Sequence, residues 1–284
     1  MVNILAKARA ISELIRLDLV FGAGIFVVAG GILGLGGVPS LHQILLGFLT
    51  GFFISGSANI ANDYFDRDVD RINRPGRPLP SNRITVAELW ALVVLFSIVG
   101  LAAATLLGPM VLAAAAVVWG VAHFYNMKFK EAGFFGNLSV AFCVGMTIII
   151  GGLAAGVING VVLTFAALAA LFDLGEEIAS DALDIEGDAL RTSKSLAMQK
   201  GKSCALRLSG GIFGIFVALT FLPFLMGWLG SVYLLLIGIM DLFMVYFSFG
   251  LVRSTTRDEG HVLVRRLYLT WGAFMAVFIV SMLF

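Results

Sequence analysis

Apolar and polar positions alternate along this chain on the scale of a membrane rather than of a helical turn. Runs of apolar residues fall near 17–36, 42–62, 86–107, 109–125, 135–157, 160–180, 205–226, 229–250 and 263–283. Each is close to the roughly 20 residues that carry a helix across a bilayer core. The joints between them alternate in character. Those near 34–40, 108–109, 156–160 and 226–230 are short and uncharged, whereas those near 63–85, 126–134, 181–204 and 251–262 are longer and polar. The 19 Lys and Arg residues lie in the polar joints, in the helix ends that flank them, or in the N-terminal segment. Because cytoplasmic loops carry an excess of Lys and Arg, this side is expected to be cytoplasmic, with the N-terminus inside. Nine crossings then put Phe284 outside.

Composition agrees with that pattern. The chain is 60% hydrophobic and 13% charged, with a mean hydropathy of +0.99, which excludes an ordinary soluble domain. The expectation is an all-α integral membrane protein of the cell membrane: nine transmembrane helices forming one membrane-embedded domain over 1–284. A net charge of +1 does not single out a partner, and nothing in the chain points to nucleic acid or to an obligate protein partner. Lys7, Arg9, Glu13 and Arg16 precede the first apolar run without a small-residue cleavage site. That segment reads as an amphipathic entry helix rather than a signal peptide. Cys143 and Cys204 lack the spacings of a metal or redox motif and read as packing residues.

Two polar stretches carry the chemistry. The first, from Asn59 to Arg83, supplies four aspartates between Asp63 and Asp70. At about 100° per residue, Asn59, Asn62, Asp63, Asp66 and Asp70 share one helical stripe, and Asp68 faces the other way. Carboxylates on one face repel each other unless a cation sits among them. Hard oxygen ligands suit Mg²⁺, which shares its coordination with water and phosphate. Arg71, Arg74, Arg77 and Arg83 follow, stiffened by Pro75, Pro78 and Pro80. In the second stretch Asp173, Glu177, Asp181, Asp184 and Asp188 share a stripe, Glu186 faces away, and Arg191, Lys194, Lys200 and Lys202 follow. The stripes end the second and sixth apolar runs, four helices apart, which suggests two four-helix halves plus one extra helix. A carboxylate face beside an arginine-rich loop is chemistry for a metal-bound diphosphate. A secondary transporter also carries repeats and intramembrane carboxylates, but near the bilayer midplane rather than at helix ends. Asp241, in the middle of an apolar run, has no partner legible in the sequence, and His261 reads as a loop residue.

These residues resemble the UbiA superfamily of intramembrane prenyltransferases. Asn62, Asp63, Asp66 and Asp70 meet its first motif, Asn-Asp-x-x-Asp-x-x-x-Asp. The run from Asn73 to Pro80 matches its Asn-Arg-Pro-x-Arg-Pro-x-Pro stretch. Asp184 and Asp188, with Asp181 upstream, meet the second motif, and Tyr125-Asn126 with Lys128 and Lys130 resembles the loop after helix four. The resemblance implies a nine-helix bundle and Mg²⁺ held by Asp63, Asp66, Asp70, Asp181, Asp184 and Asp188. It implies an isoprenyl diphosphate contacted by Arg77, Lys128, Lys194 and Arg74, near Tyr125, with Asn62 orienting the metal ligands. The first motif and its tail most resemble the archaeal branch that prenylates geranylgeranylglyceryl phosphate. That branch reads Arg-Glu-Ile-x-Lys before its second aspartates, where this chain has Glu176 and Ser180 at the cationic positions. Arg16 is then the candidate for an acceptor phosphate, and an aromatic acceptor is the alternative.

Overall fold

The computed structural model describes residues 4–129, 132–185 and 195–283, all helix, turn or loop with no strand among them. The helices are α1 (Ile4–Ile15), α2 (Leu17–Leu35), α3 (Leu41–Phe65), α4 (Arg67–Asn73), α5 (Val86–Leu107), α6 (Pro109–Phe124), α7 (Phe134–Ala154) and α8 (Gly160–Leu183). After them come α9 (Leu196–Lys200), α10 (Lys202–Thr220), α11 (Leu222–Leu225), α12 (Ser231–Arg253) and α13 (Arg257–Leu283).

Local sequence accounts for the ends. Ser40 with Gln43 starts α3 and Thr85 with Glu88 starts α5, each as a capping box that satisfies two orphan amides. Asn159 caps α8 through the amide of Val162, and Pro109 opens α6, where its missing N–H has no cost. The polar joint near 251–262 is shorter than the sequence suggested. Helix α13 begins at Arg257 because Thr256 accepts from the Glu259 amide at 3.3 Å, and Asp258 and Glu259 complement the helix dipole. His261 is therefore helical, not a loop residue.

Among the described residues, eight segments are long and apolar enough to cross a membrane. Helix α8 has 24 residues, about 36 Å, but Asp173, Glu176 and Glu177 interrupt its apolar character and set it apart from the eight. Many outward residues are large and apolar, Leu41, Ile98, Leu106 and Leu242 among them. A face of this kind is a liability in water and normal against lipid.

Helix α3 packs against α2, α5 and α6, and α8 packs against α7, α10 and α13, so each acidic stripe sits on the central helix of its own set. The two sets join where α2 crosses α7. A Cβ at Gly30 would strike the Ile148 carbonyl, and one at Gly151 would strike the Val27 carbonyl. The backbones touch there, as small residues allow between membrane helices. Amphipathic α1 lies across the stripe end of the first set, burying Ala10 and Leu14 against Ile60, Ala61, Leu79, Ile84 and Leu89. Lys7 fixes it by donating to Glu88 at 2.7 Å and to the Arg83 carbonyl at 3.1 Å.

Deeper in the second set, Asp241 acquires a partner. Thr220 Oγ1 donates to its Oδ2 at 2.8 Å, while Tyr233 donates to the Thr220 carbonyl at 2.6 Å. This pair braces the point where α10 breaks ahead of Pro223.

Candidate active site

The first stripe persists through a small kink. Helix α3 ends at Phe65, and Asp66, at φ −85° and ψ −2°, joins it to α4. The amide of Asp66 still reaches the Asn62 carbonyl and that of Asp70 the Asp66 carbonyl, at 2.9 and 2.8 Å, so the four-residue spacing survives. Asp63 and Asp70 are 1% and 4% exposed. Asp68, by contrast, has a side chain 69% exposed and pairs outward with Arg71 and Arg67 at 3.3 and 3.8 Å.

Two arginines close on the buried carboxylates. Arg77 donates to Asp63 Oδ1 and stands 3.6 Å from Asp70. Arg16 donates to Asn62 at 2.8 Å and to Asp63 at 3.2 Å. It does so from a left-handed backbone conformation, φ +55°, at the break between α1 and α2. A non-glycine residue held there is strained, and its position against Asp63 makes it part of this site. Asn62 also donates to Asn126 at 3.0 Å, and Asn126 to the Ala58 carbonyl at 2.8 Å. Asn126 belongs to a π-helical turn, Tyr125–Phe129, which extends α6; such turns are frequent at functional sites.

Tyr125 marks where the stripes converge. Its charged neighbours are Glu177, Asp181 and Asp173 of α8 together with Asp66 of the first stripe. Asn137 of α7 donates to Asp181 at 3.1 Å. Asp184, at the C-cap of α8, turns instead toward α13, where Arg257 and His261 meet it at 2.7 and 3.0 Å. Glu176 accepts from Ser180 at 2.6 Å and from Tyr268 at 3.1 Å. Arg74 and Lys128 are exposed, the latter with its ammonium 5.9 Å from the Phe124 ring. Asp188 and Lys194 lie outside the described residues, as do Glu186, Lys130 and Arg191.

Above the stripe, Arg83 donates to Glu13 at 2.6 Å and ties the proline-rich loop to α1. That hydrogen bond is the main cause of a Glu13 carboxyl held below its ordinary range, and it raises Arg83 in turn.

Among the described residues no three acidic, His or Cys side chains gather around one point as a metal-ligand set. In the first stripe the guanidinium groups of Arg77 and Arg16 supply the neutralising charge. The donor chemistry nonetheless suits a hard cation. Asp63 Oδ2 and Asp173 Oδ2 are buried without a hydrogen-bond partner, and each is a carboxylate oxygen with lone pairs to offer.

A helical membrane bundle with two carboxylate stripes, the first backed by Arg16 and Arg77, has the chemistry of an enzyme that handles a metal-bound diphosphate. The model of the UbiA prenyltransferase family matches residues 23–279, and the chain belongs to that family. It is 36% identical over 241 residues to a digeranylgeranylglyceryl phosphate synthase of Thermococcus kodakarensis, covering 84% of this chain and 85% of that one. A solved structure of a digeranylgeranylglyceryl phosphate synthase superposes with a TM-score of 0.82 at 28% identity, over 97% of this chain and 98% of the other. A UbiA homologue of Archaeoglobus fulgidus, solved with GPP and Mg²⁺, shares the fold at a TM-score of 0.74 and 18% identity, over 96% and 99% of the two chains.

Proposed function

We propose that this enzyme transfers a geranylgeranyl group from its diphosphate to geranylgeranylglyceryl phosphate, a step in membrane ether-lipid synthesis. The observation that carries the reading is the convergence of both stripes on Tyr125, with Arg16 and Arg77 behind Asp63. The relatives named above support the choice of acceptor.

Asp63, Asp66, Asp70, Asp181, Asp184 and Asp188 are the proposed Mg²⁺ ligands, Asp184 on giving up its Arg257 and His261 partners, and Asn62, held by Asn126 and Arg16, orients the first of them. When bound, Mg²⁺ supplies positive charge that stabilises the diphosphate as it departs. Arg77, Arg74, Lys128 and Lys194 add charge-assisted contacts to its oxygens, and Tyr125 lines the junction of the stripes. The allylic C–O bond to diphosphate breaks, the acceptor hydroxyl oxygen bonds to that carbon, and the hydroxyl proton passes to water as the diphosphate leaves. Arg16, already bound to Asp63, is the cation proposed to hold the acceptor phosphate.

In this reading α8 is the ninth crossing, the whole chain forms one membrane-embedded domain, and the arginine-rich end faces the cytoplasm. The hydrogen bonds that hold Glu176 in place favour a second reading, an aromatic acceptor, because an anion stands where a phosphate would be served by a cation. Purified enzyme given geranylgeranyl diphosphate, Mg²⁺ and a panel of acceptors decides between them. Ether product from the glyceryl phosphate is expected, and Arg16→Ala should raise KM for that acceptor more than for the diphosphate. Product formed only with a hydroxybenzoate or dihydroxynaphthoate would replace the first reading with the second.

A further inference from the structure

Helices α12 and α13 leave an apolar trough of about 470 Å³ between them on the outside of the bundle. Phe243 and Phe247 of α12 form one wall, and Leu269, Ala273 and Val277 of α13 form the other. Arg266 is the one charged residue in the lining. It lies at the end of the trough nearer the α12–α13 turn, with its guanidinium 5.6 Å from the Phe247 ring. No carboxylate among the described residues pairs with it. The hydroxyl of Thr270 is already spent on the Arg266 carbonyl at 2.8 Å, so the polar capacity of the trough is concentrated in the guanidinium.

From Arg266 to Val277 the trough runs about 16 Å, roughly half the hydrocarbon thickness of a bilayer. An arginine on a lipid-facing apolar wall is costly unless it reaches the interface or an anion meets it, and basic pockets between membrane helices bind anionic head groups. Tyr268, which reaches Glu176, is two residues and about 200° around the helix from Arg266. The trough therefore faces away from the acidic site. We propose that it binds one anionic phospholipid, with the phosphate on Arg266 and one chain lying along the trough, independently of the substrates.

The test is native mass spectrometry of the full chain in detergent, titrated with phosphatidylglycerol or with phosphatidylcholine carrying the same chains. Wild type should hold one phosphatidylglycerol about fivefold more tightly, the effect of one basic residue near a membrane surface. Arg266→Gln should erase that preference, and Arg266→Lys should keep most of it. Ala273→Phe, which fills the trough from an exposed position, should weaken both lipids. Inorganic phosphate at the same concentration should not compete. Equal wild-type affinities, or a preference that survives Arg266→Gln, would overturn the headgroup assignment. Unchanged binding in Ala273→Phe, or displacement by phosphate alone, would overturn the placement of the chain.

Discussion

Asp68 and Asp70 offer a controlled comparison, because both lie in the first turn of the seven-residue α4 and any damage to that helix is shared. Two residues place them about 200° apart. Asp70 is buried and stands 3.6 Å from Arg77; at an effective dielectric of ~20 such a pair attracts by about 4–5 kcal/mol. That is an upper figure, since Arg77 is a fifth exposed and solvent screens it. The exposed pair of Asp68 with Arg71, at 3.3 Å, contributes at most about 1 kcal/mol. Asp70→Asn removes a charge from the face where diphosphate leaves, and losing one such electrostatic contact costs roughly a hundredfold or more in kcat. Asp68→Asn should fall within about 0.5 kcal/mol, or about twofold. The assay is diphosphate release at saturating Mg²⁺, with monodispersity and Tm checked for each variant. Equal loss in both variants would refute the helical-face reasoning and the ligand assignment built on it.

Three further outcomes are expected. Gly151→Ala places a Cβ against the Val27 carbonyl and should lower stability by about 1–3 kcal/mol. Gly211→Ala, with nothing within 4 Å of the new atom, should be neutral or stabilising by about 0.5–1 kcal/mol; thermal unfolding in detergent compares the two. Glu13 has a folded-state pKa below its ordinary 4.5, so its tie to Arg83 is fully present above that value and is lost as pH falls through the depressed one. Hydrogen exchange of α1, corrected for intrinsic rates, should rise in that acidic window and become flat in Glu13→Gln. A reporter after Arg83 should be cytoplasmic and one after Phe284 external; a cytoplasmic C-terminal reporter would remove the ninth crossing.

The apolar runs, the joints and the inward and outward aspartates of the first stripe were legible because they are periodic. Asp68 and Asp70 separated as a 3.6-residue repeat requires. The acidic end of α8 was also legible, but the contacts that hold it were not. Asn137 reaches Asp181 across 44 residues and His261 reaches Asp184 across 77, and no local pattern encodes such pairings. Arg16 was visible as a charge on the entry helix. Its left-handed turn and its bond to Asp63 depend on how α1 folds back over α3, which is a tertiary fact. Asn126 lay beside the tyrosine in sequence, yet its link to Asn62 required the π turn. Asp241 showed the same limit from the other direction: a costly residue with no neighbour in sequence found one in Thr220.

The glycine crossing of α2 and α7 bears on how the chain is made. Gly30 and Ile148 meet there, more than a hundred residues apart, and at about 5–20 residues per second the ribosome takes roughly 6–24 s to pass from one to the other. During that interval α2 has entered the bilayer with its glycine face against lipid or α3 alone. The first stripe-bearing set can gather its own helices, but it cannot close its seam before the second has begun to emerge. A gene cut between α6 and α7 should therefore give two fragments that depend on each other for assembly, however alike their layouts. Two packing sets here do not amount to two autonomous folding units.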